Sequence, residues 1–326
     1  MTKIILVTGG AGYIGSHVNL ALAESGFKPL VVDSLINGHR DLVKTGILVE
    51  CNINDRQKLS QIFEDYSILA VMHFAAFAYV GESVSDPAKY YTNNVIATIN
   101  LLETMRMANV KDIIFSSTCA TYGIPLEEKI TETHPQTPVN PYGRSKLMIE
   151  HILSDYEKAY GFNFVALRYF NAAGADPQQR VGERHLPETH LVPCVLKAAH
   201  DPGQTFSIFG TDYNTPDGTC IRDFIHTTDL ASAHILALRY LLEKGQSTAF
   251  NLGYGNGFSI LDILNRARKI TGKKIEIEYQ NKRQGDPPRL VGNPAKAFST
   301  LNWKPQYNDL DLILSTAWQW HEKDWK

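Results

Sequence analysis

Tyr142 and Lys146 stand one helical turn apart in the stretch PYGRSKLMIEHIL. On a helix that interval puts both side chains on one face. Tyr142, Ile149, Leu153 and Tyr156 recur at helical spacing, which predicts a helix over Pro141 to Tyr160. A tyrosine with its reference pKa of ~10 is a poor base at neutral pH. An adjacent ammonium and an oxidised nicotinamide would both favour phenolate, a tenfold gain in acidity being worth about 1.4 kcal/mol. The pair then makes a general base. Pairs of this kind are also common on solvated helix faces, and what sets this one apart lies far upstream. Thr8 to Gly15 reads TGGAGYIG, with Gly9, Gly12 and Gly15 at three-residue intervals between a predicted strand and a predicted helix. Glycines there allow a tight turn and close approach of backbone to a pyrophosphate, whose charge meets unpaired N–H groups at the helix start. Asp33 ends the next predicted strand, where an acidic residue accepts hydrogen bonds from an adenosine ribose. A carboxylate there repels a 2′-phosphate, and Ser34 rather than an arginine follows it, so NAD is favoured over NADP.

These residues must be held by a scaffold, and the chain from Lys3 to about Tyr169 supplies its pattern. Short β-branched runs (KIILVT, PLVVD, ILVE, LAVMHF, DIIFSS, FVALRY) alternate with helical stretches such as 12–25, 55–65 and 141–160. Alternating βα units predict an α/β fold, a Rossmann-like doubly wound parallel sheet with helices on both faces. Beyond Asn171 the stretch to about Ile221 is rich in Pro, Gly and His and reads as pocket-building loops. Helical periodicity returns at 229–243, after a predicted N-cap pair Thr227 and Thr228, and again at 260–270 and 310–320. The expected division is an NAD-binding domain over 1–171 and a smaller α+β substrate domain over 172–326. The AFNLG stretch and other segments near 222–255 can rejoin the first domain.

A chain of 326 residues, 44% hydrophobic, has enough length for two cores. A net charge of −2 offers no electrostatic footprint for nucleic acid or for an anionic membrane, which makes a small molecule the expected partner. The longest apolar tract, 68–80, contains His73 and falls well short of the roughly 20 residues of a membrane span. The expectation is a soluble cytoplasmic protein. Cys51, Cys119, Cys194 and Cys220 lie far apart without a Cys-x-x-Cys pair, the pattern of reduced thiols packed as small hydrophobes.

With the glycine loop and the Tyr-Lys pair in place, the chain resembles the extended short-chain dehydrogenase/reductases. The stretches HFAAFAYVGESV, YYTNNV, FSSTCATYG, PYGRSK, LRYFNAAGA, DGTCIRDFIH and RQGD narrow the resemblance to the UDP-glucose 4-epimerase family over nearly the full length. The resemblance implies Thr118 as a third catalytic group, a hydroxyl near the sugar O4. It implies that Tyr13, Ile14, Asn37, Asn52, Ile53, Phe74, Ala75, Asn93, Ser116 and Tyr169 help Gly9, Gly12, Gly15, Asp33, Tyr142 and Lys146 hold NAD. For a UDP-sugar it implies Thr118, Asn171, His190, Leu191, Phe209, Arg222, Arg283, Asp286 and Leu290, the arginines suiting diphosphate through a bidentate fork. Three positions depart from the family pattern: Asn52 for an Asp that accepts from adenine, Ala78 for a lysine that meets the NAD phosphates, and His190 for an Asn that touches the substrate phosphates. The reaction implied is oxidation at C4, a turn of the 4-keto sugar and return of hydride to its other face. The resemblance also implies a homodimer paired through 94–107 and 141–160.

The pair of sugars stays open between UDP-glucose/galactose, the N-acetylated pair and UDP-xylose/arabinose. Leu290 stands where such epimerases carry either a bulky aromatic or a small residue, and its intermediate bulk predicts dominant glucose/galactose turnover. A nucleotide-sugar dehydratase would follow the catalytic Thr with an Asp-Glu pair, whereas Cys119 and Ala120 follow Thr118. A silent NAD-binding regulator would keep the fold and lose the Tyr-Lys pair. The run GERHLPETH places Glu183, His185, Glu188 and His190 close together, and these are plausible zinc ligands. Pro187 interrupts any helix there and the spacing matches no standard motif, so a substrate loop with no metal is the expectation. Trp303, Trp318, Trp320 and Trp325 read as core or surface anchors.

Overall fold

The structure is a computed structural model that describes residues 3–283 and 285–325; Gln284 of the RQGD stretch lies outside the described residues. In chain order the first half runs β1 (Ile4–Thr8), α1 (Tyr13–Glu24), β2 (Lys28–Asp33), β3 (Ile47–Glu50), α2 (Arg56–Asp65), β4 (Ile68–His73), α3 (Val80–Ser85) and α4 (Pro87–Tyr90). A π-helical stretch (Tyr91–Ile96) then leads into α5 (Ala97–Met107), β5 (Asp112–Thr118), α6 (Pro141–Tyr160) and β6 (Asn163–Tyr169). The second half carries β7 (Asn171–Ala173), α7 (Leu191–His200), β8 (Thr205–Phe209), β9 (Ile221–His226), α8 (Thr227–Leu242), β10 (Thr248–Leu252), β11 (Gly257–Ser259), α9 (Ile260–Thr271), β12 (Glu276–Gln280), β13 (Arg289–Leu290), α10 (Ala295–Leu301) and α11 (Leu310–Asp324).

Seven strands form one parallel sheet in the order β10-β6-β5-β4-β1-β2-β3. Its strands are buried on both faces, as parallel sheets covered by helices are. Side chains alternate between two cores: Ile5 and Val7 join Ala70, Met72, Val18 and Leu238 on the side of α1 and α8, while Leu6 and Val71 join Leu59, Leu101, Ile149 and Leu153 on the side of α2, α5 and α6. The order reverses between β1 and β4, which opens the crevice at the carboxyl ends of the strands where such sheets bind ligands. The sheet reaches to Leu252, because β10 pairs with β6 and α8 packs beneath, well past Asn171.

A second, mixed sheet is made by β11, β9 and β13 with β7 also on β9, and β12 pairs with β8. A third core gathers α7, α9, α11 and β8. Local expectations need correction here. The stretch 171–221 holds a full helix, α7, and strand β8 besides loops. Pro193 sits in the first turn of α7, where the missing N–H is one that would have no helical partner anyway. Thr227 and Thr228 are inside α8, and its cap is His226, whose Nδ1 accepts from the Thr228 amide at 3.1 Å. Burial holds that imidazole neutral, down to about 3, so its ring nitrogen can accept. The helix expected to stop at Trp320 continues to Asp324, through His, Glu and Lys residues with no breaker among them. The four cysteines are free thiols, three of them buried. Among the described residues no helix is long and apolar enough to cross a membrane.

Candidate active site

The glycine loop follows β1 at the switch point. Gly9 has φ +72°, and a Cβ on it would meet the Ala75 amide nitrogen at 2.5 Å; one on Gly15 would meet the Gly9 carbonyl at 2.4 Å. The loop therefore packs against the Phe74–Ala75 turn after β4, whose Phe74 amide donates to the Thr8 carbonyl at 2.9 Å. A Cβ at Gly12 would touch only the Gly9 carbonyl, at 3.4 Å, and Gly12 caps α1 with no side chain over its N–H groups and no acid in the first turn. That open, positively polarised helix end suits a pyrophosphate. Asp33 ends β2, where its carboxylate accepts from the Ala11 and Leu35 amides, both at 2.9 Å. Burial raises it and those two amides oppose the rise. A carboxylate has acceptor positions beyond these two, which leaves room for a ribose. Asn37 and Asn52 lie on the surface near the same edge, Ile53 is buried, and the Asn52 amide oxygen accepts from Asn54 N–H at 2.9 Å. Ala78 is exposed and brings no charge.

The Tyr-Lys pair is set by the start of α6. Asn140 caps the helix through the Gly143 amide (2.8 Å), and Pro141 takes the first helical position. Any side chain at Gly143 would collide with the Ala120 carbonyl, 2.5 Å from its would-be Cβ. The first turn of α6 consequently lies on the turn Cys119–Thr121 that follows β5, which brings Tyr142 beside Thr118. The Thr118 hydroxyl lies beside the phenol, whose ionised form it favours, and accepts from Ala120 N–H at 3.1 Å. Asn94, inside the π-helical stretch, donates to the Ser145 hydroxyl (3.1 Å), which donates to the Tyr142 carbonyl (2.7 Å). Lys146 is buried and donates from Nζ to the Ser116 carbonyl at 2.9 Å. Burial lowers it to about 7, with Glu150 pulling the other way. Glu150 itself is committed to Arg168 in a buried ion pair at 2.6 Å. Burial pushes the Tyr142 phenol well above its ordinary value; Tyr169 adds to this and the Thr118 hydroxyl opposes it. Tyr169 reaches the Ser116 hydroxyl, and Asn93 donates to Asn94 at 3.0 Å. Tyr13 is buried on α1, its hydroxyl donating to the Gly174 carbonyl at 2.6 Å, with Ile14 beside it in the core under the loop.

In the second sheet, β9 and β13 bring Arg222 and Leu290 into register. Arg222 donates to Asp286 (2.5 Å) and to the Ile221 and Pro287 carbonyls (both 2.9 Å), and its charge is felt at the Cys119 thiol, next to Thr118. Leu290 packs on Cys119, Tyr122, Ile130 and Phe170. Arg283 lies over the Phe209 ring, 3.8 Å from its centroid. Asn171 donates to the Asp223 carbonyl at 2.7 Å, and Leu191 opens α7. His190 is held by Glu183 and Glu188, each at 3.0 Å, rather than by the groups just named. Sequence reasoning missed Asp223, fully buried, which accepts from the Tyr254, Gly255 and Gly292 amides (3.0, 3.0 and 3.1 Å) and so ties β9 to the strands around it. A lone acid in the run CIRDF carries no local signal for that role.

The family model described as NAD dependent epimerase/dehydratase matches residues 5–253. The chain is similar to the UDP-glucose 4-epimerase of Rhizobium meliloti, with 50% identity over 319 residues, covering 98% of this chain and 97% of that protein. Among solved structures it is similar to UDP-glucose 4-epimerase from Brucella ovis in complex with NAD, with TM-score 0.95, 50% identity and 98% of each chain covered. It is also similar to the UDP-Glc/GlcNAc 4-epimerase of Campylobacter jejuni, with TM-score 0.87 and 40% identity over 98% of this chain and 99% of that one.

Proposed function

The chain belongs to the NAD dependent epimerase/dehydratase family, and we propose that it is an isomerase that inverts C4 of a UDP-sugar, with UDP-glucose and UDP-galactose its principal pair. The observation that carries this reading is the Tyr142 phenol beside the Thr118 hydroxyl, at the strand end where Arg222 and Leu290 come close to the neighbouring Cys119. NAD, held by Gly9, Gly12, Gly15 and Asp33, supplies reversible hydride chemistry at C4 when bound. Tyr142 takes the O4 proton and gives it back, with Thr118 holding that oxygen. Lys146, when protonated, would raise the phenol's acidity by its charge. Arg222 and Arg283 anchor the diphosphate by charge-assisted bonds, so the sugar alone is left to turn and present either face. Cys119 and Ala120 offer no proton-transfer group for eliminating water, which disfavours a dehydratase. Purified protein should interconvert UDP-glucose and UDP-galactose without added oxidant; no interconversion, with NAD bound, would overturn the reading.

Replacing Asp33 by Ala should weaken NAD by about 10- to 100-fold, the worth of a hydrogen bond to a charged acceptor, and should narrow the preference over NADP. Titration of both cofactors checks this. An unchanged preference would place the ribose contact elsewhere.

Leu290 belongs to the same proposal as the gate on sugar choice. It fills space between Cys119 and the Arg222 strand, so a larger side chain there intrudes on whatever the sugar carries beside C4. Glucose/galactose turnover should exceed turnover of the N-acetylated pair. Leu290→Tyr should lower kcat/KM for the N-acetylated pair by about tenfold more than for the plain pair, since overpacking costs about 1–3 kcal/mol only where atoms share the space. Equal losses, or a wild type that prefers the N-acetylated sugars, would remove Leu290 from that role.

A homodimer and a cytoplasmic location complete the proposal. Ile96, Ile99 and Met107 form an exposed apolar stripe along the π-helical stretch and α5, and Met148 and Tyr160 expose apolar surface on α6. Such a stripe on two adjacent helices suits an isologous four-helix contact. Light scattering at micromolar concentration should give twice the chain mass, and Met107→Glu with Ile99→Glu should halve it.

A further inference from the structure

We propose that Glu183, His185, Glu188 and His190 form a closed, structural site for a borderline divalent cation, with zinc the best match. The four residues sit on the irregular segment between β7 and α7, and one ligand atom from each lies within 4.8 Å of all the others. The contacts alternate nitrogen and oxygen around a ring. His185 Nδ1 is 3.2 Å from a Glu183 oxygen and 3.5 Å from a Glu188 oxygen; His190 Nδ1 is 3.0 Å from each of the two carboxylates. Ligand atoms roughly 2.0–2.1 Å from a tetrahedral ion are about 3.3 Å apart, and the four nitrogen–oxygen contacts, at 3.0–3.5 Å, match that spacing.

A proton on each imidazole would also offset the carboxylates, and geometry separates the two cases. A proton bridges its donor and acceptor along one line, while ligand lone pairs aim at a common centre. His190 Nδ1 makes such a bond, to Glu188 at 3.0 Å, whereas His185 Nδ1 is buried and close to two carboxylate oxygens, yet makes a properly directed hydrogen bond to neither. Glu183 is almost wholly buried in this ring. The donor set of two imidazoles and two carboxylates suits zinc better than magnesium or calcium, which take oxygen alone.

The segment needs no helix to present its ligands, because the neighbours fix it. The Glu183 carbonyl accepts from Trp320 Nε1 at 3.0 Å, Arg184 is held by Asp41 and Asp324, and His190 takes the N-cap position of α7. Tyr13 and Tyr79 set ring edges against His185 at 6.2 and 6.0 Å. With all four positions filled by protein the ion would do no chemistry of its own. It would cross-link the two ends of the segment that leads into α7.

The test is zinc binding by the full chain after exhaustive dialysis against a chelator, using zinc sulfate alone and a chromophoric chelator as competitor. One equivalent should bind with Kd below about 1 µM, and His185→Ala and Glu183→Gln should each weaken it by roughly a hundredfold or more. X-ray absorption of the wild type should show two imidazole nitrogens and two oxygens, a readout that holds even if a variant fails to fold. No stoichiometric binding, a spectrum without an imidazole pair, or full affinity in folded His185→Ala would each overturn the site.

Discussion

Tyr142→Phe should reduce kcat for UDP-sugar interconversion by about 10³-fold, within the range of one general acid–base group, while NAD and UDP-sugar stay bound. The substitution removes only an oxygen: the ring keeps its place at the start of α6, which Asn140, Pro141 and the Gly143–Ala120 contact define without it. The size of the loss follows from how the site treats protons. Burial drives the phenol away from ionising, and a chain carrying Tyr142 and Tyr169 side by side cannot make phenolate unaided. Lys146, brought down to about 7 by burial, contributes its charge only in part at neutral pH. The remaining bias toward phenolate has to come from the oxidised nicotinamide, so base and hydride acceptor become competent together. Steady-state kinetics, with NAD content and calorimetric UDP-sugar binding as controls, checks this. Activity above a few per cent of wild type would mean that another group takes the O4 proton.

The glycine loop, Asp33 and the Tyr-Lys pair were legible in the sequence because each is set by local rules. Asn140, Pro141 and Gly161, with φ +70°, mark both ends of α6, and its bounds agree with the periodicity to the residue. The loop and Asp33 fall where strand ends and helix starts dictate. The substrate side obeys no such rules. The strands β7, β11 and β13 are three residues or fewer and exist only through pairing with β9, so nothing in their own sequences marks them. Arg222 and Arg283 could be singled out only by resemblance, and their partners Asp286 and Phe209 carry no spacing signal that would join them. In the run from Glu183 to His190, Pro187 rules out a helix, and the fold rather than helical spacing brings the four side chains together. The helix α7 is hidden by the same Pro and His density. The π-helical stretch Tyr91–Ile96 reads in sequence as an ordinary turn of helix.

The protein should lose stability steeply below pH 6, through histidines that lie outside the reacting groups. His73, His226, His17 and His234 are buried and neutral, lowered to about 3, 3, 4 and 4, in each case chiefly by burial. His73 is locked between the Thr8 and Thr98 hydroxyls at 2.6 and 2.8 Å, and His226 reaches Thr316 at 2.9 Å. In the unfolded chain each would titrate near ~6.5. As pH falls below that value the unfolded state takes up protons that the folded state refuses, so stability drops until the folded pKa is reached. By pH 5 each histidine has cost about 2 kcal/mol, roughly 8 kcal/mol together. Asp223, raised to about 6 by burial, works in the opposite direction between pH 6 and 4 and returns about 1 kcal/mol by pH 5. Lys146, lowered to about 7, completes its own exchange by about pH 6 and adds nothing below that. Against a total stability of about 5–15 kcal/mol, the remainder places acid unfolding between about pH 5 and 4. Denaturant midpoints at pH 7.5, 6 and 5 measure the slope, which should approach about 4 kcal/mol per pH unit below pH 6 once the opposing Asp223 is included. His234→Phe, which removes one of the four, should lower that slope by about 1 kcal/mol per pH unit; a stability unchanged between pH 7.5 and 5 would mean that these imidazoles already carry their protons in the fold.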